Sequence, residues 1–116
     1  MDKYKTFLLF PVFKNYKFCQ NEIFNQKNFI SRSIETRSLV QALDGSIIFE
    51  KIININIPKP SLLVSKTVTD EIKYNFNLDD IDLIIIDCSL SPIQHRNLER
   101  IFNKKIIDRT QLIIEI

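Results

Sequence analysis

The chain alternates short apolar runs with polar stretches whose spacing separates strands from helices. Residues 7–13 are aromatic and apolar, as a strand would be, with Pro11 marking a bulge, an edge or its end. Residues 15–28, rich in Asn, Gln and Lys and interleaved with Phe18 and Ile23, read as a loop or weak helix. Residues 31–43 predict a helix. Ile34, Leu39, Ala42 and Leu43 form an incomplete apolar stripe, Arg32, Glu35 and Arg37 sit elsewhere, and Asp44-Gly45 ends the segment. Residues 46–51 and then 52–57 are β-rich. In the second stretch Ile53, Ile55 and Ile57 alternate with Asn54 and Asn56, the pattern of a strand with one buried face. Pro58 and Pro60 must interrupt regular pairing.

Residues 61–64 read as a short buried strand. Residues 67–76 predict a helix with Thr67 or Thr69 as N-cap and Asp70 and Glu71 in its first turns, where carboxylates suit the helix dipole. Residues 81–86 form a continuous apolar run of strand length, which suits a parallel strand covered on both faces. Ser91, Pro92 and Gln94 make a strong helix start: a capping hydroxyl, a proline at the first helical position and a residue that completes a capping box. That helix should run to about Phe102 and bury Leu98, Ile101 and Phe102, with residues 104–107 as the next strand. Residues 81–107 thus predict a right-handed βαβ unit. The expected fold is α/β: a single domain with a mainly parallel four- to five-stranded sheet flanked by helices.

Composition narrows the function. One domain is the natural reading of 116 residues, with 45% apolar and 26% charged positions. Sixteen basic against fourteen acidic residues leave a net charge of +2, too little to argue for nucleic acid without a clustered basic face. Lys104 and Lys105 form a local basic cluster that reads as solvated surface charge. The apolar runs are far shorter than the roughly 20 residues that span a bilayer. Residues 7–13 contain a proline and lack a small-residue cleavage site, so they do not read as a signal peptide. A cytoplasmic location without membrane contact is expected.

Several chemistries have no residues to perform them. Gly45 is the single glycine, so neither a phosphate-binding loop nor a Rossmann-type glycine fingerprint can form. No Cys/His spacing fits structural zinc, and no metal or other cofactor is expected. Cys88 and His95 stand across a turn from each other and read as unremarkable residues rather than a nucleophile and its base. Asp87, just after a buried strand, occupies a position where α/β enzymes often place a carboxylate. A turn or capping role is the plainer reading.

The C-terminal third carries two specific motifs. Leu90, Ser91, Pro92, Gln94, Arg96, Asn97, Leu98 and Glu99 form the first, and Asp108, Arg109, Thr110, Leu112 and Ile113 the second. In this order and separation they resemble the N-terminal domain of HflX-type ribosome-associated GTPases. The resemblance extends more weakly back to about Ser38, and residues 1–30 match poorly. It implies an α/β domain that precedes a helical linker and a GTPase domain. It also implies contact with the large ribosomal subunit and its RNA, restraint of the G domain, and ATP binding attributed to this region. Arg96 and Glu99 are expected to hold the turn at Asp108, Arg109 and Thr110 through ion pairs or hydrogen bonds. The alternative is that Arg96, Arg100 and Arg109 face RNA phosphates, with Lys104 and Lys105 as the possible RNA contacts that the resemblance implies.

Two departures from the family bear on function. Its Gly-x-Gly-Lys turn is replaced by Ser65, Lys66, Thr67 and Val68, which puts phosphate contact there in doubt. The sequence stops at Ile116, where the family continues into the linker helix. The leading expectation is therefore a truncated or stand-alone, non-catalytic domain that binds the large ribosomal subunit, with a separately encoded G domain as a further partner. A degenerate gene remnant and a small ATP-binding domain are the alternatives. The apolar end at residues 112–116 should pack as a short helix or strand, or expose a patch that favours self-association.

Overall fold

The structure is a computed structural model and describes residues 4–13 and 29–114. The loop or weak helix expected over residues 15–28 lies outside the described residues, as does Cys19. The elements run β1 (Tyr4–Phe13), α1 (Phe29–Ala42), β2 (Gly45–Ile55), α2 (Lys66–Asn75), β3 (Leu83–Ile86), α3 (Pro92–Phe102), β4 (Lys105–Asp108) and α4 (Arg109–Ile114), with a 3-10 turn at Leu78–Asp80 before β3. The four strands form one sheet in the order β2-β1-β3-β4, and every neighbouring pair is parallel. This is the α/β architecture expected from the sequence.

Continuous apolar runs at the centre follow from coverage on both faces. On one face Phe7, Leu9, Ile84, Ile86 and Ile106 pack with Ile72 of α2 and with Leu98 and Phe102 of α3. On the other, Leu8, Phe10, Ile85 and Ile107 pack with Val40 of α1 and Leu112 of α4. Pro11 is tolerated in the central strand because pairing of β1 with β3 ends at Leu9↔Ile86, two residues earlier. The two expected β-rich stretches merge into a single strand that ends at Ile55, leaving Ile57 exposed beyond it, with a register shift opposite Thr6/Phe7 where Ile48 is the extra residue.

Three local expectations need correction. Residues 61–64 do not form a strand. A lone antiparallel bridge joins Lys59 to Leu63, and Leu63 takes a positive φ of 71° that breaks extended pairing. The α2 cap is Ser65, whose hydroxyl accepts from the Val68 N–H, rather than Thr67 or Thr69. Thr69 is buried and donates to the Lys66 carbonyl one turn back.

The third correction matters most. The helix α1 buries only part of its expected apolar stripe: Leu39 and Leu43 pack half-buried against the core and Ile34 is 58% exposed, while Arg32, Ser33, Thr36 and Val40 are the buried residues. Arg32, Thr36 and Val40 follow one another at four-residue spacing and so share a face. A polar face is turned inward because a buried carboxylate waits for it at the end of β3.

Candidate functional site

The carboxyl ends of β3 and β4 converge beside α1 and α4, where open α/β sheets commonly present their functional groups. Asp87 follows β3 directly. Its N–H donates to the Leu9 carbonyl at 2.9 Å, which continues the ladder one step and turns the side chain into the layer under α1. The carboxylate is completely buried. Its Oδ1 accepts from the Thr36 hydroxyl at 2.8 Å and from Arg109 Nη1 at 2.7 Å, and its Oδ2 accepts from Arg32 Nε at 2.9 Å.

The surrounding groups complete a network. Arg32 Nη2 donates to the Pro11 carbonyl at 2.7 Å, tying α1 to the end of β1. Arg109 Nη1 also donates to Thr36 Oγ1 at 2.9 Å, while its Nη2 reaches Glu35 Oε2 at 3.2 Å. No buried side-chain nitrogen or oxygen among the described residues lacks a partner. Burial pushes the Asp87 carboxyl above its ordinary value, against the opposing pull of the Arg109 and Thr36 hydrogen bonds and of the two guanidinium charges. Two cations around one buried anion, with Glu35 as the outer counterion, make an internal ion cluster rather than a capping residue. The turn or capping reading of Asp87 is therefore too small.

The two sequence motifs meet at this junction. Ser91 and Gln94 form the expected capping box: the Gln94 N–H donates to Ser91 Oγ at 3.2 Å, and the Ser91 N–H donates to Gln94 Oε1 at 2.9 Å. Asp108 and Gln111 repeat the arrangement at α4, with the Gln111 N–H donating to Asp108 Oδ1 at 2.9 Å. The second Asp108 oxygen accepts from the Leu90 N–H at 3.0 Å, and the Ser89 and Thr110 hydroxyls pair at 3.0 Å. Gln94 Nε2 and Asn97 Nδ2 donate to the carbonyls of Lys59 and Ser61, both at 2.9 Å, and so anchor the loop ahead of α2.

The expectation that Arg96 and Glu99 hold the Asp108-Arg109-Thr110 turn is not met. Glu99 pairs with His95 one helical turn away at 3.3 Å, and Arg96 is exposed. The turn is instead held from the β3 side, by Leu90, Ser89 and the Cys88 carbonyl, which accepts from the Arg109 N–H at 3.2 Å. Arg109 is only 7% exposed, so it faces the domain's own interior and not a phosphate backbone. Among the described residues, the side chains of Arg96, Arg100, Lys104 and Lys105 have no hydrogen-bond or ion-pair partner. Arg96, Arg100 and Lys105 are exposed, and Lys104 is half-buried.

Cys88 is buried and its thiol is pushed far up by desolvation and by the neighbouring Asp87 charge, while His95 is engaged with Glu99. They do not form a nucleophile and base. Among the described residues no group of His, Cys, Asp and Glu could hold a metal ion, and no helix is long and apolar enough to cross a membrane. At the position of the family's glycine turn, Ser65 and Val68 line a groove of about 220 Å³ beside Ile53 and Leu63. There the Ser65 hydroxyl already takes the Val68 N–H that an anion would need. The α4 helix ends with Ile113 and Ile114 exposed.

Known proteins match this chain. The family model described as GTP-binding GTPase N-terminal matches residues 31–116. The chain belongs to this family, as an HflX N-terminal domain. GTPase HflX of Magnetococcus marinus is 39% identical over 57 residues, covering 49% of this chain and 13% of that protein. GTPase HflX of Escherichia coli is 37% identical over 59 residues, covering 51% of this chain and 14% of that protein. The chain therefore spans a small fraction of the length of these HflX relatives. Among solved structures, SsGBP in complex with GDP superposes with a TM-score of 0.62 at 21% identity, covering 96% of this chain and 28% of that one. A point variant of SsGBP gives a TM-score of 0.62 at 20% identity, with 96% and 31% covered. The HflX-type domain and these structures share the fold.

Sequence reasoning found every residue of the two motifs but missed Arg32, Glu35, Thr36 and the depth of Asp87. The available signal was the Arg32–Thr36–Val40 spacing, which places an Arg and a Thr on the same face as a core valine.

Proposed function

We propose that this domain is a non-catalytic docking module of an HflX-type GTPase, presenting α3 and the start of β4 to phosphates of large-subunit ribosomal RNA in the cytoplasm. The observation that carries the reading is the division of labour along α3. Ser91, Gln94 and Asn97 bond within the domain, whereas Arg96 and Arg100, one turn apart, project outward with no partner. Lys104 and Lys105 follow just after the left-handed turn at Asn103. Four cations at the end of one helix suit a phosphate backbone. Guanidiniums without internal partners also cost no native contact when they bind outside. The G domain, on the same chain or a separate one, supplies GTP chemistry in this reading.

Cosedimentation with large ribosomal subunits at graded salt tests it. Binding should weaken as salt rises, and Arg96→Glu with Arg100→Glu should weaken it on the order of ten-fold and flatten the salt dependence. The same pair should leave the melting temperature nearly unchanged, because neither side chain has a native partner. Binding that ignores both substitutions would remove the α3 surface from the proposal. Saturable ATP binding without subunit binding would favour a nucleotide-binding role at the Ser65–Val68 groove instead.

A further inference from the structure

We infer that the Asp87–Arg109 ion pair is a latch that fixes the direction of α4 and can open while the sheet stays folded. The observations are geometric and independent of ribosome binding. Helix α4 has six residues, about half of what an isolated helix needs to be even marginally stable, so its conformation depends on tertiary anchors. Its anchors are Leu112 in the core, the contacts of its first turn with residues 88–90 (the Asp108–Gln111 cap with the Leu90 N–H, the Ser89–Thr110 hydroxyl pair and the Arg109 N–H on the Cys88 carbonyl), and the Arg109 guanidinium.

Leu112 offers non-directional apolar contact, and the first-turn bonds all reach one short segment, residues 88–90, so they leave the helix free to swing away from α1. Arg109 supplies the direction. Its rigid fork points one nitrogen at Asp87 and Thr36 and another at Glu35, so the first turn of α4 is fixed against both the end of β3 and the flank of α1.

The latch has a closed inner limb and an open outer limb. Asp87, Arg32 and Thr36 are buried, whereas the Glu35 side chain is 60% exposed. The strands do not depend on it. Residues Leu83–Ile86 of β3 pair with β1 on one side and with β4 on the other through backbone ladders. Opening the latch therefore releases α4 and the adjoining flank of α1 before any strand separates.

Hydrogen exchange followed by NMR on the full chain tests this. Arg109→Met keeps the aliphatic stem and removes both limbs. Amides of residues 111–114 should exchange at least ~10-fold faster than in the wild type, while amides of residues 7–9 and 84–86 keep their rates relative to one another and to global unfolding. Unchanged α4 exchange overturns the inference. So does acceleration by the same factor in α4, β1 and β3, which would make the pair a general stabiliser. If Arg109→Met does not fold, Glu35→Gln perturbs the exposed limb alone. A smaller rise confined to α4 and the middle of α1 is then expected, and no rise overturns the inference.

Discussion

Asp87 and Arg109 lie 22 positions apart and meet at 2.7 Å in the interior, one at the end of β3 and the other at the first turn of α4. Both are almost fully buried, and the pair is shared with Thr36 and Arg32. A buried pair of this kind is expensive to break from one side, because removal of one partner strands the other charge: roughly 3–5 kcal/mol. Whole domains are stable by only about 5–15 kcal/mol. The cluster is thus both a structural commitment and a vulnerability.

The protonation of Asp87 gives a signed pH prediction. Burial raises its carboxyl above the ordinary value of 3.8. Between 3.8 and that raised value the folded state holds more protons than the unfolded state, so stability from this group falls as pH rises across the window. Its contribution is fully present only below 3.8. Urea unfolding of the wild type and Asp87→Asn between acidic and neutral pH should show the wild type losing stability relative to the variant as pH climbs through that range. A relative gain would mean that the two guanidiniums outweigh desolvation.

The α3 cap should behave as a local device. Ser91→Ala removes the acceptor for the Gln94 N–H and should cost about 0.5–2 kcal/mol in urea unfolding. Gln94→Ala should cost a comparable amount, since it loses both the bond from the Ser91 N–H and the bond to the Lys59 carbonyl. The double variant should fall short of the sum of the two, because the box is reciprocal.

Gly45 is the one glycine, and close approach rather than backbone conformation explains it. A Cβ there would lie 2.8 Å from the Val40 carbonyl oxygen and closer still to the Val40 side chain, across the junction of α1 and β2. Backbone must move to admit it. Gly45→Ala should destabilise by roughly 1–3 kcal/mol, measured as a shift of the urea midpoint with unchanged slope.

Cys88 should be inert in the native protein. Its burial and the adjacent Asp87 charge both disfavour the thiolate. In a Cys19→Ser chain, labelling by an aromatic disulfide reagent at neutral pH should be orders of magnitude slower than for a free thiol and should accelerate in urea. Rapid labelling without denaturant would contradict the burial.

Much of the fold was legible from periodicity. The runs at residues 7–13 and 81–86, the alternation of Ile53 and Ile55 with asparagines, and the Ser91-Pro92-Gln94 start encode their elements within a few neighbouring residues, where pleat, propensity and capping act. The first motif is legible for the same reason: Ser91 and Gln94 are a local capping pair three residues apart.

What the sequence could not show is what depends on partners distant along the chain. The helix at residues 29–42 reads as apolar-faced only while Asp87 is ignored. Once β3 delivers that carboxylate 51 positions later, burying Thr36 and Arg32 satisfies it, and Ile34 is left outside. The same fact places Arg109 in the interior and leaves Arg96 and Arg100 as the outward cations. Sequence alone determined most of the elements, because local hydrogen bonding and side-chain periodicity act over a few residues. Tertiary structure alone decided which face of α1 is buried and which arginines remain free, because a buried charge must find its counterion wherever the fold brings one.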